Sequence, residues 1–332
     1  MTEDGRGDQL AAMLRRRMSP GWQVDLDSGV VRLCYRRPPH AAPAAPRRPR
    51  SSTDLVGAMA RYLGRRGVPR APLLPIRWGR DTDLTISAVQ GLDPWLKDGR
   101  RLVWREGFLP QPVVRFTGER TLDGRLKDGY LTAFVNLSCI SRIDSVDRHL
   151  DLLDTWIGAL SAAGLHASRL TITGSTQVWR RGPVSGVTLL IDCDGVGLAD
   201  AVLLRHTTNP AMLASDLGSG LERLRWLTSR LPWPTAAFGD QADRWDVDLL
   251  DAVRTATLLA MAGIQPAASG PGQALRRVLR RVPPRLAEAG LGRLVRSQRG
   301  YWADIGMTGP DWPQLADTIE HEVLSGGGSR QG

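Results

Sequence analysis

The run Ser215-Asp216-Leu217-Gly218-Ser219-Gly220-Leu221-Glu222-Arg223-Leu224 has the residue types of an anion-binding element: a glycine-rich turn that leads into an amphipathic helical pattern. Glycines let a backbone approach a ligand closely, and the first turn of a helix offers N–H groups and positive potential to a phosphate. A tight connection between two elements uses the same residues, so type and spacing alone leave both readings open. A second chemical signal lies at 273–285. There Leu275, Val278, Leu279 and Val282 form one apolar stripe, leaving Arg276, Arg277, Arg280 and Arg281 as two i,i+4 pairs on the remaining surface. Residues 270–301 hold eight Arg against one Glu. Like charges so spaced repel unless an anion is present, which points to binding of a phosphate backbone; a solvated face is the plainer alternative.

These groups sit in a chain of 332 residues with 44 basic and 34 acidic side chains, a net charge of +10, and only two lysines. The balance favours a polyanionic partner, although an arginine bias also follows from a GC-rich genome. With 42% hydrophobic and 23% charged residues the composition is that of a folded, water-soluble chain. No run of eighteen apolar residues occurs, and the first residues are acidic and polar, so neither a membrane span nor a secretory leader is expected and a cytoplasmic location is. Cys34, Cys139 and Cys193 are odd in number and widely spaced, which gives no disulfide framework and no zinc-ligand spacing.

The elements that must position the candidate residues follow from periodicity. Residues 9–35 predict one helix (Leu10, Met13, Leu14) and one strand (Val30, Val31, Leu33, Tyr35), too small to hold a core alone. Residues 36–52, with five Pro, five Arg and no acid, predict an extended linker. Thr53 or Asp54 can cap a helix carrying Leu55, Met59, Tyr62 and Leu63 that ends at Gly64–Gly67. Strands are predicted at 84–89, 113–116, 131–137, 170–173 and 187–192, and a helix at 144–163. The loops between the strands before that helix are too short for parallel crossovers, so the fold class is α+β: an antiparallel sheet flanked by helices, followed after Trp245 by a mostly helical region. The organisation is a small unit at 1–35, the linker at 36–52, a core at 53–240, a helical, basic domain at 241–325 and a flexible tail at 326–332.

The 215–224 segment resembles motif 3 of class II aminoacyl-tRNA synthetases, in particular the Asp-Thr-Gly-Met-Gly-Leu-Glu-Arg of alanyl-tRNA synthetases, with Asp, both Gly, Leu, Glu and Arg in register. Further likeness runs in the same order. Tyr62-Leu63-Gly64-Arg65-Arg66-Gly67 and residues 88–96 fall in the motif 1 region, and Val113-Val114-Arg115-Phe116-Thr117-Gly118 is similar to the motif 2 strand. Thr132-Ala133-Phe134-Val135-Asn136-Leu137 falls on the returning strand, Gln177-Val178-Trp179-Arg180-Arg181-Gly182 on Asn-Phe-Trp-Gln-Met-Gly, and Trp245-Asp246-Val247-Asp248-Leu249 on Tyr-Asp-Ile-Asp-Leu. Gly272 to Arg281 is close to the family's tRNA-binding Gly-Tyr-Val-Leu-Arg-Arg-Ile-Ile-Arg-Arg. The resemblance covers residues 53–324, as in a short paralogue without editing and C-terminal domains. It departs from the family at Val135, where the returning strand carries glutamate, at Tyr130 and Leu131 in place of histidines, and at Ala199-Asp200 in place of Trp-Asn.

The resemblance implies an enzyme that activates a small amino acid, alanine first, with ATP and Mg2+, then passes the acyl group to the tRNA acceptor stem or to a small nucleoside or amine. Arg115 would hold the α-phosphate and the carboxylate, and Arg223 the γ-phosphate; each is otherwise a rim residue of a strand or helix. Asp216 would pair with the substrate ammonium rather than cap a helix, Trp179 would bound the amino-acid pocket rather than fill the core, and Gly218 and Gly220 would leave room for adenosine and a methyl-sized side chain. Asn136 would stand at the ATP site. Asp192 and Asp194, alternating on one strand face, are candidates for magnesium or simply a strand end entering a turn. The helix bearing Arg276, Arg277, Arg280 and Arg281 would bind tRNA, and a homodimer is compatible with a class II core. The rival reading is a catalytically silent paralogue that binds tRNA or another partner.

Overall fold

In a computed structural model, residues 3–36, 50–175 and 177–327 are described; most of the predicted linker (37–49) and the end of the predicted tail (328–332) lie outside them. In chain order the elements are α1 (Glu3–Arg17), β1 (Trp22–Asp27), β2 (Val30–Tyr35), α2 (Ser52–Arg65), α3 (Asp93–Leu96), β3 (Gly107–Val114), β4 (Ala133–Ile143), α4 (Val146–Ala162), β5 (Leu170–Ser175), β6 (Trp179–Arg181), β7 (Val184–Cys193), β8 (Val196–His206) and β9 (Leu213–Gly220). The rest is helical: α5 (Leu221–Ser229), α6 (Trp233–Phe238), α7 (Val247–Met261), α8 (Gly270–Leu279), α9 (Pro284–Ala289), α10 (Leu291–Ile305) and α11 (Trp312–Gly327). The strands form one sheet in the order β1-β2-β5-β7-β8-β9-β4-β3, with β6 paired to β7. The pairings β1–β2, β2–β5, β5–β7, β6–β7, β7–β8, β8–β9 and β4–β9 are all antiparallel. The fold is α+β with a large antiparallel sheet.

By packing, the chain divides into two compact units. The first comprises Met1–Pro72, Ala88–Pro110 and Asn136–Arg230; the second comprises Leu73–Ser87, Gln111–Val135 and Leu231–Gly332. In the first unit, one sheet face is apolar. Leu33 on β2, Ile172 on β5, Leu189 and Ile191 on β7, Ala201 on β8, Leu217 on β9 and Leu137 on β4 are buried. Against this sheet lies α4, whose Leu150, Leu153, Trp156, Ile157 and Leu160 recur at helical spacing and are all buried. Each such leucine contributes about 1.5–3 kcal/mol of transfer free energy. Two hairpins are closed by two-residue turns with positive φ at both positions, Ser28-Gly29 and Asp194-Gly195, the mirror-image turns whose twist suits adjacent strands. In the second unit α7 is the central helix, with Leu250 through Met261 buried, and α8, α10 and α11 pack on it.

Several expectations are corrected. The N-terminal segment contains a hairpin, not a lone strand, and β2 joins the sheet through β5. Ser51 caps α2 and Asp54 completes a capping box with it, so neither Thr53 nor Asp54 is the cap. The 84–89 strand is instead a single bridge at Leu84 followed by a 3-10 turn, Ala88–Leu92; Thr85 spends its N–H on Ile76 and its carbonyl on Val114. The 113–116 strand begins six residues earlier. Pro110 and Pro112 hide it in the sequence, but β3 ends the sheet order, where a missing N–H is tolerated. The glycine-rich run is no turn: 215–220 is the body of β9, paired on both sides, and the helix starts at Leu221. The basic helix 273–285 is broken at Arg280, because Pro283 and Pro284 deny N–H groups to its continuation.

Candidate functional site

The alternation of β9 decides what its residues can do. Ser215, Leu217 and Ser219 face the helices, and Ser215 Oγ lies 2.8 Å from Nδ1 of the buried His149 on α4. Asp216, Gly218 and Gly220 face the opposite, open side. Register places Gly218 between Ser138 on β4 and Asp200 on β8, Gly220 beside Asn136, and Asp216 beside Val202. Gly218 is the floor of this row. A Cβ there would stand 2.9 Å from Asp200 Oδ1 and 3.3 Å from Asn136 Nδ2, so the missing side chain lets a carboxylate and an amide close over the strand. Asn136 is held in place because its Oδ1 accepts the Ala88 N–H at 3.1 Å, which turns Nδ2 toward Gly218. Asp216 accepts a hydrogen bond from Ser138 Oγ at 2.9 Å and is half-buried.

Trp179 lies on the same face. It pairs with Gly186, whose absent side chain makes room for the indole, since a Cβ would meet Trp179 Cζ2 at 2.5 Å. Its Nε1 donates to Thr188 Oγ1 at 3.0 Å, and 37% of the residue stays exposed, so it is a wall of the open face rather than part of the core. Thr188 pairs with Val202 and Val202 with Asp216. Two strand spacings, about 10 Å, therefore separate the Trp179 anchor from Asp216, with Val202 as the floor between them.

Arg223 stands in the first turn of α5 and its Nη1 donates to Gly197 O at 2.8 Å. Asp192 Oδ1 and Arg223 Nη1 both come within 4 Å of where a Gly197 Cβ would be, so Asp192 is a neighbour of Arg223. Asp192 and Asp194 do not alternate along one strand: β7 ends at Cys193, and Asp194 sits in the turn with its Oδ2 bonded to Arg169 at 2.7 Å. Among the described residues no group of three or more His, Cys, Asp or Glu could hold a metal ion. The Asp192/Asp194 pair does not fit magnesium. Cys139 and Cys193 are buried thiols pushed up by that burial, to about 12 and about 11, which keeps them protonated and without a nucleophilic role.

Arg115 belongs to the second unit, Arg223 to the first. Arg115 follows β3; its N–H donates to Thr132 O, its Nε donates to Ile86 O, and its guanidinium lies 5.2 Å from the Phe134 ring centroid. The four arginines around α8 have separate fates. Arg276 is bonded to Glu322 of α11 at 2.7 Å, and Arg277 stacks 4.6 Å from the Phe116 centroid. Arg281 is half-buried 3.9 Å from Asp251, and Arg280 is exposed. Sequence reasoning passed over Ser138, Phe134 and Asp251. For Asp200 a signal existed, the period-two alternation of 196–206, in which a carboxylate stands between Ala199 and Ala201. No protein-family model matches this chain, and no curated protein matches it.

Proposed function

We propose that the chain is a ligase of the class II synthetase type that activates a small amino acid with ATP. The carrying observation is the open face of β6, β7, β8, β9 and β4, where a carboxylate, an amide and a tryptophan surround a strip of strand without side chains. Polar side chains gathered over glycines on one sheet face suit a small polar ligand, and Asp216 supplies the charge that an ammonium needs. In the reaction the amino-acid carboxylate attacks the α-phosphorus, the bond to pyrophosphate breaks, and an aminoacyl adenylate forms. Asp216 orients the ammonium, Val202 and Trp179 bound a side chain of methyl size, Asn136 donates to adenosine across Gly218 and Gly220, and Arg223 offsets charge on the phosphate oxygens; the phosphate role of Arg115, in the second unit, rests on the resemblance alone. Because Asp192 and Asp194 do not fit a shared ion, no step is drawn through a metal held by the protein.

The acyl group then passes to an acceptor, tRNA first and a small nucleoside or amine second. Exposed Arg276, Arg277 and Arg280 support up to three phosphate contacts at α8, one fewer than the four expected from spacing, Arg281 being half-buried against Asp251. Val135, buried where a glutamate is expected from the resemblance, favours the second reading, a fold that binds without activating. Exchange of labelled pyrophosphate into ATP, run with each of twenty amino acids, separates the two: exchange with alanine or another small amino acid supports the ligase, and none with any amino acid refutes it.

A further inference from the structure

The backbone of Thr132 bonds two groups far apart in the sequence, both in the second unit. Its carbonyl accepts the Arg115 N–H at 2.8 Å, and its own N–H donates to Asp251 Oδ1 at 2.6 Å. Asp251 is fully buried on α7. Its other oxygen, Oδ2, makes no hydrogen bond and faces Arg281 Nη1 at 3.9 Å, a distance at which charges attract but donors do not bond. The Arg115 guanidinium lies over Phe134, two residues along from Thr132, and its Nε donates to Ile86 O.

We propose that Asp251 is the positioning residue of Arg115, acting by fixing the backbone at Thr132, whose carbonyl holds the Arg115 N–H and whose strand carries Phe134, and that Arg281 ties this positioning to the end of α8. The Thr132 N–H and carbonyl belong to successive peptide groups, so the coupling is one of position: a buried acceptor that fixes the N–H also fixes the carbonyl one residue on, and with it the Arg115 backbone. Burial raises the Asp251 carboxyl from its ordinary value, opposed by the Thr132 N–H and the neighbouring guanidinium of Arg281. A packing role would need no polar group here; an apolar residue would fill the same volume without a buried carboxyl oxygen that makes no hydrogen bond. The catalytic consequence rests on the reading of Arg115 as a phosphate-binding group, whereas the positioning itself does not.

The test uses the full chain with arginine labelled for NMR, the Arg115 Nε–H signal being assigned by its loss in Arg115→Lys. In the native protein this N–H donates to Ile86 O and should carry the ring-current shift of Phe134. Asp251→Ala is expected to move it toward the position of an exposed arginine and to speed amide exchange at Thr132 and Arg115 about tenfold or more, with exchange at His149 unchanged. Asp251→Asn, which keeps an oxygen acceptor, should show the smaller rise, as should Arg281→Gln. An Arg115 signal that stays in place in Asp251→Ala overturns the proposal; if that variant does not fold, unchanged Thr132 exchange in both Asp251→Asn and Arg281→Gln does so. In pyrophosphate exchange Asp251→Ala should raise KM for ATP and lower kcat while KM for the amino acid holds, and Asp251→Asn should recover most of both. If the native chain exchanges no pyrophosphate, the ATP reading fails, and the NMR result still decides the role of Asp251.

Discussion

Lowering the pH should loosen the first unit through one residue. His149 of α4 is 3% exposed, and burial lowers its imidazole from 6.5 to about 4. A histidine kept neutral in the folded state takes up a proton more readily when the chain unfolds, so stability is complete above 6.5 and is lost as pH falls toward 4. The whole window is worth about 3 kcal/mol, and the step from pH 7 to pH 5 about 2 kcal/mol. Other groups titrate in the same range, so the informative quantity is the difference between the native chain and His149→Asn, which keeps a polar partner for Ser215. Urea unfolding followed by tryptophan fluorescence at pH 7, 6 and 5, at fixed ionic strength, measures it. The native chain should lose about 2 kcal/mol more than the variant over that step. Parallel losses in the two proteins would refute the argument and show that His149 is not held neutral against β9. Because Ser215 precedes Asp216, the same protonation should disturb amino-acid binding before global unfolding.

Gly218→Ala places a methyl group against Asp200 Oδ1, the end of an exposed side chain that can swing away, and 3.3 Å from Nδ2 of the anchored Asn136, so the melting temperature should fall only slightly while pyrophosphate exchange falls at least tenfold; retained exchange would remove Gly218 from the site. Asp216→Asn should weaken amino-acid binding by about 1.5–3 kcal/mol without loss of fold, measured by calorimetry, and unchanged affinity would free Asp216 of its assigned role. For tRNA, Arg280→Gln should make the slope of log affinity against log salt shallower by about 0.7–0.9, whereas Arg281→Gln, turned inward to Asp251, should leave the slope alone; equal effects would contradict that difference in placement.

The elements that were legible are those where one physical signal dominates. The span of β2 matches its expectation because Val31 and Leu33 alternate cleanly, and α4 differs by a residue or two at its ends because its apolar stripe is long and Ser145 caps it. Where two signals compete, the local one misleads. The glycines of β9 look like a turn, yet pairing with β4 and β8 supplies hydrogen bonds on both sides and the turn preference is overridden. At the site, Asp216, Trp179, Gly218 and Asn136 share one sheet face, something a pattern of residues hints at only once register is known. Asp251 carried no readable signal, since its importance comes from a hydrogen bond to a distant peptide. The α8 arginines were legible as a surface for three of the four, Arg276, Arg277 and Arg280 being exposed; that Arg281 turns toward Asp251 depends on a residue remote in sequence.

The division of the chain into interleaved segments restricts how it can be cut and when it can fold. Segments 73–87 and 111–135 belong with helices that are synthesised more than a hundred residues later, and Arg120 and Leu126 both reach Asp248 of α7. On the ribosome these segments must wait, without their partners, until α7 emerges. A fragment stopping near residue 240 would leave Thr132 without Asp251 and Phe116 without Arg277, presenting apolar surface to solvent. No single scission yields two self-sufficient halves, so soluble pieces of this protein are to be sought by co-expressing complementary fragments rather than by truncating it from either end.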